Sequence, residues 1–317
     1  MNQDAQGSTP KGVLRLCSRL QLDEVSAASL VAAMQAGASS RSAVVLSAHA
    51  PQDYQPPFAC AQLDAPWLPP RVFVPESGEK PTAYPDYAAG LYYVLDLSSC
   101  WESACLAEVP PPASSLDMCA APGGKTMLMA ARFGALNHTA NEVHAGRRGI
   151  LRQNLQQCGY SQVRVTGNRP DQWSRSGECF DLVLVDAPCS GQSLLCKGIR
   201  NPGCLSSSMV NGNAKRQKGI MLSVLPCVNS GGHVVYTTCT YDPEENEKVM
   251  AYILKRHADW EAVEIPLLST FSSSLVDFPV YRLLPEHGYG AGGFCCLLRK
   301  KSKEIIERKT LYLYQTP

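Results

Sequence analysis

Two apolar runs in this chain end in the same way, and that shared ending limits what it can fold into. Residues 180–191 read FDLVLVDAPCSG, and Phe180, Leu182, Val183, Leu184 and Val185 lack the polar alternation of a strand with one wet face. The run therefore predicts a strand buried on both faces of a parallel sheet, stopping abruptly at Asp186, Pro188 and Cys189. Residues 231–240, GGHVVYTTCT, repeat the pattern: a turn signal, a β-branched and aromatic run, then a polar stop with Cys239 at its end. In a doubly wound sheet, reactive groups sit just past the carboxyl ends of the strands, so this pair of strands predicts both thiols at one crevice.

The flanking sequence supplies the rest of such a sheet. A helix is expected over 97–107, ended by Pro110–Pro112. Then come a short strand (115–119), a tight Gly/Pro turn (120–124), a helix (125–133), a strand (136–143) running into Glu142, a helix (145–158) and a third strand (162–165). After the strand at 180–186, residues 192–213 are Gly-, Ser- and Asn-rich and read as an irregular insertion of the kind that covers an active site. A helix (214–228), a strand (231–238), a helix (244–256) and an antiparallel pair (280–284, 294–298) complete the order. The fold class is α/β: a doubly wound, mostly parallel sheet with an antiparallel edge. Ahead of it, residues 22–36 predict a helix capped by Asp23 or Ser26, and 44–46 begin a short strand. The dense prolines from Ala50 to Asp86 mark a connecting region. The division expected is a small N-terminal accessory region, 1–82, and a main domain, 83–317.

Composition narrows the function classes. The chain has 317 residues, of which 45% are hydrophobic, with a formal charge of +1. It has neither an apolar run of membrane-spanning length nor a signal-peptide stretch, so the expectation is a cytoplasmic monomer away from membranes. Its 14 cysteines are scattered and include no C-x-x-C, which predicts free thiols and no structural metal. A neutral total can hide a local patch, and Arg299, Lys300, Lys301, Lys303, Arg308 and Lys309 make the C-terminal tail basic. That tail is either a nucleic-acid contact or a solvated surface.

The turn at 116–126, LDMCAAPGGKT, ends like a phosphate loop but lacks its spacing, because Cys119 stands where the first glycine belongs. The dinucleotide pattern also fails, since Gly123 and Gly124 are adjacent. What remains is a strand, a close-approach turn and a helix N-terminus, followed by an acid, Glu142, at the end of the next strand. That arrangement suits a nucleoside whose ribose hydroxyls meet a carboxylate.

LDMCAAPGGKT, ANEVHAGR, VDAPCSG and YTTCTYDPEENE, in this order and spacing, resemble the Nop/Sun family of S-adenosylmethionine-dependent RNA cytosine-5 methyltransferases. The likeness runs from about Gly90 to Lys300, and the opening is similar to a short subgroup of bacterial ribosomal RNA methyltransferases. The resemblance implies a Rossmann-like methyltransferase sheet and S-adenosyl-L-methionine as cofactor. It further implies that Cys119, Ala120, Ala121, Pro122, Gly123, Gly124 and Lys125 wrap the cofactor, that Glu142 holds its ribose with Arg147 beside it, and that Asp186 lies between cofactor and cytosine. Where the family usually has an aspartate for the adenine amine, this chain reads TGNRPDQW. Asn168, Arg169 and Asp171 are the candidates, with Asn168 preferred because its amide oxygen accepts and a guanidinium does not. With no appended C-terminal RNA-binding domain in view, the first 80 residues and the 192–213 insertion are expected to help select RNA.

The chemistry explains why two thiols and a carboxylate belong together. Attack of a thiolate on cytosine C6 makes C5 nucleophilic, and a carboxyl at N3 stabilises the developing charge, the role expected of Asp186. By the resemblance Cys239 is the nucleophile and Cys189 assists release; the residues themselves do not rank them. Lys125 either lowers the thiolate pKa or meets the base carbonyl. A stacked base hides C6, so the target is unpaired or flipped out. The expected substrate is structured RNA, small-subunit ribosomal RNA in particular. The competitors are a tRNA enzyme, a DNA cytosine methyltransferase with no need of Cys239, and a non-catalytic ribosome-assembly factor.

Overall fold

A computed structural model describes residues 11–135 and 137–302. The chain opens with helices α1 (Lys11–Arg19) and α2 (Glu24–Ala36). Asp23 caps α2, its carboxylate accepting the Ser26 N–H at 2.7 Å, and Gly37 ends it at φ 61° against the backbone of Gly198. Strands β1 (Ser42–Leu46) and β2 (Val72–Phe73), a short helix α3 (Pro85–Ala88) and strand β3 (Tyr92–Asp96) follow, and they form a three-stranded antiparallel sheet in the order β2-β1-β3. Because β3 pairs with β1 along its whole length, this small sheet continues past residue 82, and the expected division falls inside it.

Asp96 caps α4 (Leu97–Glu102) through the Ser98 N–H, and a 3-10 segment carries the chain on to the main sheet. There β4 (Ser115–Asp117), α5 (Gly124–Phe133), β5 (His138–Asn141), α6 (Ala145–Gln157), β6 (Arg164–Thr166), α7 (Pro170–Ser176) and β7 (Phe180–Asp186) alternate. They are followed by α8 (Ser193–Cys196), α9 (Ser207–Val224), β8 (Val228–Thr238), α10 (Glu247–Arg256), β9 (Trp260–Val263), β10 (Tyr281–Leu283) and β11 (Gly293–Lys300). The strand order is β10-β11-β8-β7-β4-β5-β6, with β9 also on β11. Strands β4 to β8 run parallel to one another, and β9, β10 and β11 join antiparallel, β11 against β8. The order reverses at β4, between β5 and β7, which is where ligands bind in such sheets.

Strand β7 has the two dry faces its sequence predicts. Leu182 and Leu184 pack into one core layer, while Phe180, Val183 and Val185 pack into the other. Each such side chain contributes roughly 1.5–3 kcal/mol on burial, so this strand holds the two layers together.

Three elements differ from expectation. The helix placed at 214–228 starts at Ser207, because Ser206 accepts the Met209 N–H and Val210, Ala214 and Gln217 give a buried face. Counting α8 as well, half of the supposed irregular insertion is helical, its weak helix formers outweighed by packing. Helix α7 forms between the third and fourth parallel strands, with Trp173 buried against Phe180. Strand β9, too short to stand out, exists by pairing with β11. The basic tail is a fourth case. Lys303, Arg308 and Lys309 lie outside the described residues, but Lys300 and Lys301 donate to the carbonyls of Val228 and Ala258, and Arg299 pairs with Glu261. Arg299 sits opposite His233 while Phe294 sits opposite Thr238, so these cations lie at the end of the sheet away from Cys239. No described helix is long and apolar enough to cross a membrane.

Candidate active site

A cavity of about 1060 Å³ opens at the carboxyl ends of β4, β5, β7 and β8. Its walls include Cys119, Ala121, Lys125, Glu142, Arg147, Asp186, Cys189 and Cys239, so the residues singled out in four separate motifs converge on one space. No described residue before Ser98 lines it, whereas Leu194, Lys197, Asn201 and Met209 of the 192–213 segment do.

The two cysteines follow adjacent parallel strands, and hydrogen bonds zip their loops together. Thr237 Oγ1 donates to Asp186 Oδ1 at 2.9 Å, the Ser193 N–H to the Cys239 carbonyl at 3.2 Å, and Ser190 and Thr240 share a hydroxyl contact at 2.8 Å. The buried carboxylate of Glu245 receives the Ser190 N–H and the Gln217 amide, both at 2.9 Å, which ties the Cys189 loop to α9. The outcome is a Cys189 Sγ to Cys239 Sγ distance of 3.0 Å. That contact lowers the pKa of Cys239 and raises that of Cys189. Burial opposes ionisation of both thiols. Lys125 and Lys197 favour a thiolate at Cys239 against the opposing charge of Asp186, while Glu245 disfavours one at Cys189. The charges around the pair therefore favour a thiolate at Cys239 over one at Cys189.

Lys125 stands between two carboxylates. Its Nζ lies 2.8 Å from Asp186 and 2.6 Å from Glu102, a buried residue of α4 to which sequence reasoning gave no role. Burial works against the ammonium, but the two carboxylates outweigh it and push its pKa above the ordinary value. Glu102, wholly buried, is pushed up to about 8 despite the lysine. No motif flags Glu102, because only the tertiary packing of α4 on α5 brings it to Lys125. Asp117 is a second such residue: it is buried beneath the glycine turn, accepts from Thr126 Oγ1 at 2.6 Å, and burial raises it to about 7.

At the other end of the cavity, the turn after β4 is shaped by Gly123 at φ 120°, where an added Cβ would sit 3.2 Å from Leu151. Asn154 holds the Pro122 carbonyl at 2.9 Å, and the Ala120 N–H reaches the Asn141 carbonyl. Ala120, Pro122, Gly123 and Gly124 do not line the cavity themselves; they set the course of Cys119, Ala121 and Lys125, which do. The buried Glu142 carboxylate accepts the His144 N–H at 2.8 Å and pairs with Arg147 at 3.2 Å, and Arg147 also donates to the Ala121 carbonyl at 2.6 Å. A carboxylate has about four acceptor sites, so these two contacts do not saturate it. This donor and acceptor set fits a nucleoside.

On the side where the adenine is expected, Asn168 stands next to the cavity wall rather than in it, and the buried Asn141 amide fixes its backbone, accepting the Asn168 N–H at 2.8 Å and donating to the Asn168 carbonyl at 3.0 Å. Arg169 and Asp171 pair with each other at 3.2 Å on the surface, and Pro170 alone of that segment reaches the wall. Asn141 was missed because it reads as an ordinary strand residue.

A switch-point cavity with a glycine turn after the first core strand, an acid after the second and an antiparallel edge defines a Rossmann-like methyltransferase fold. Solved structures share it. A methyltransferase homolog from Pyrococcus horikoshii is 23% identical with a TM-score of 0.69, over 92% of this chain and 99% of that one. NSun6 from the same organism, solved with SFG, is 22% identical with a TM-score of 0.58, over 69% and 56%. The family model for 16S rRNA methyltransferase RsmB/F matches residues 106–299, and the chain belongs to that family. It is 34% identical over 230 residues to the ribosomal RNA small subunit methyltransferase F of Klebsiella pneumoniae, over 69% of this chain and 47% of that protein. The counterpart from Escherichia coli O157:H7 is also 34% identical, over 68% and 46%. The chain thus spans about half the length of the curated relatives it matches.

Proposed function

We propose that this chain methylates C5 of a cytosine in structured RNA, small-subunit ribosomal RNA in particular, through a covalent bond between Cys239 and C6. The observation that carries this reading is the pair of thiols 3.0 Å apart in the same cavity as the Lys125–Asp186 pair and the Glu142 carboxylate. S-adenosyl-L-methionine, when bound, supplies an electrophilic sulfonium methyl and leaves as the neutral thioether. Its ribose is assigned to Glu142, steadied by Arg147, and its other parts to Cys119, Ala121 and the wall near Pro170.

The protein's own groups do the rest. The Cys239 thiolate forms the S–C6 bond, and the C5=C6 electron pair shifts toward C5, which becomes able to take the methyl. Asp186, held by Lys125 and Thr237, meets N3, where proton sharing spreads the developing charge. Water in the open cavity takes the C5 proton, the C5–H electron pair restores the C5=C6 double bond, and the S–C6 bond breaks with its pair returning to Cys239 sulfur. Cys189, kept protonated, donates to that sulfur and assists its departure. The 192–213 segment, which lines the cavity, is assigned to RNA selection, and the accessory sheet acts outside it.

The test is to map methylated cytosines in ribosomal RNA and tRNA with and without the gene, and to repeat the mapping with purified protein and labelled cofactor. One new 5-methylcytosine in small-subunit RNA is expected. Cofactor binding without any cytosine product in either RNA would overturn the reading.

A further inference from the structure

Helix α9 separates the catalytic cavity from a second groove of about 430 Å³, lined by Asn211, Lys215, Lys218, Leu222, Glu244 and Tyr252. The helix contains no Asp or Glu, and its cations Lys215, Arg216 and Lys218 make no ion pair with any described residue. Arg216 lines the catalytic cavity, while its neighbours Lys215 and Lys218 line the groove. Across the groove, Tyr252 of α10 carries the Arg256 guanidinium 3.9 Å from its ring centroid and the Lys218 ammonium at 5.1 Å. These cation–π contacts hold two long side chains in place, so less rotamer freedom is lost when they meet an anion. Glu244, the carboxylate in the groove, is already paired with Lys248 at 2.6 Å. In a chain whose formal charge is only +1, this is a local concentration of unpaired positive charge beginning at the rim of the active site.

We infer that the α9–α10 groove binds the phosphate backbone of the RNA strand flanking the target cytosine, with Lys215, Lys218 and Arg256 as its contacts. This rests on the cytosine-methylation reading for the identity of the target. A base turned into the cavity drags its flanking backbone over the cavity mouth, and α9 forms one wall of that mouth. A strand leaving past Arg216 meets Lys215 and Lys218 on the same helix and then Arg256. Single-stranded nucleic acid is tracked by grooves of this kind, in which cations follow the phosphates.

The test combines Lys215→Gln, Lys218→Gln and Arg256→Gln, leaving Arg216 intact because it lines the cavity. Binding of a fluorescein-labelled single-stranded RNA is followed by anisotropy across a salt series, beside calorimetry with S-adenosylhomocysteine. Three lost phosphate contacts should make the log K against log salt slope about 2 units shallower. Affinity at low salt should fall at least about tenfold, with the nucleoside affinity and melting temperature unchanged. An unchanged slope would overturn the assignment, as would wild-type protein that binds RNA with no salt dependence. If the variant loses slope as expected but wild-type protein transfers no methyl to cytosine, the groove stands and the methylation reading falls.

Discussion

Cys189 and Cys239 are the same residue type 3.0 Å apart, so their roles are separated by surroundings. Lys125 and Lys197 act on Cys239, and Glu245 acts on Cys189. Replacing Cys239 by Ala should abolish both methyl transfer and any covalent RNA adduct. Replacing Cys189 by Ala should let attack and methyl transfer proceed but slow release, leaving a methylated adduct on denaturing gels. The reverse pattern would exchange the roles. Asp117 gives a pH prediction. Its folded pKa of about 7 exceeds the ordinary 3.8, so the native state binds more protons than the unfolded state between those values, and stability falls as pH rises through that window. Asp117→Asn removes that loss, at most a few kcal/mol by the size of the shift. Melting curves of the two proteins should diverge from pH 4 to 7, with the variant the more stable, and run parallel above pH 8.

At the scale of elements, the site depends on loops from three places being pinned to one another. Glu245, just ahead of α10, holds the Cys189 loop and α9 through a single carboxylate oxygen, and its other oxygen is buried without a partner among the described residues. Glu245→Ala should cost roughly 1.5–3 kcal/mol for each charged hydrogen bond lost and loosen Cys189 against Cys239. The variant should then accumulate adduct in the way expected of Cys189→Ala, and Glu245→Gln, which keeps one acceptor oxygen, should restore part of the turnover. Normal release kinetics in Glu245→Ala would show that the clamp does not position the thiol.

For the whole molecule, the cavity joins the Glu142 carboxylate end at β4 and β5 to the thiol end at β7 and β8, and the switch point of the sheet sets the distance between them. The two ends are separable by mutation. Glu142→Ala should weaken S-adenosylhomocysteine binding by roughly 1.5–3 kcal/mol, about tenfold to a hundredfold, in calorimetry. Alkylation of Cys239 by a small reagent should keep its wild-type pH profile in the same variant, and a shifted profile would mean that the ends are coupled.

The sequence by itself determined the buried central strand, a mostly parallel sheet around it, the position of both thiols at strand ends and the glycine turn after the first core strand. Those features are local: apolar runs, turn residues and chain order within one stretch specify them. Tertiary structure alone decided the rest. Glu102 reaches Lys125 because α4 packs on α5, Asn141 holds the backbone of Asn168 because β5 lies beside β6, and β3 joins β1 across the expected division. Each of these is a contact between residues distant in sequence, whose partner no local pattern names. The start of α9 at Ser207 follows the same rule, since weak helix formers become helical when a buried face rewards them.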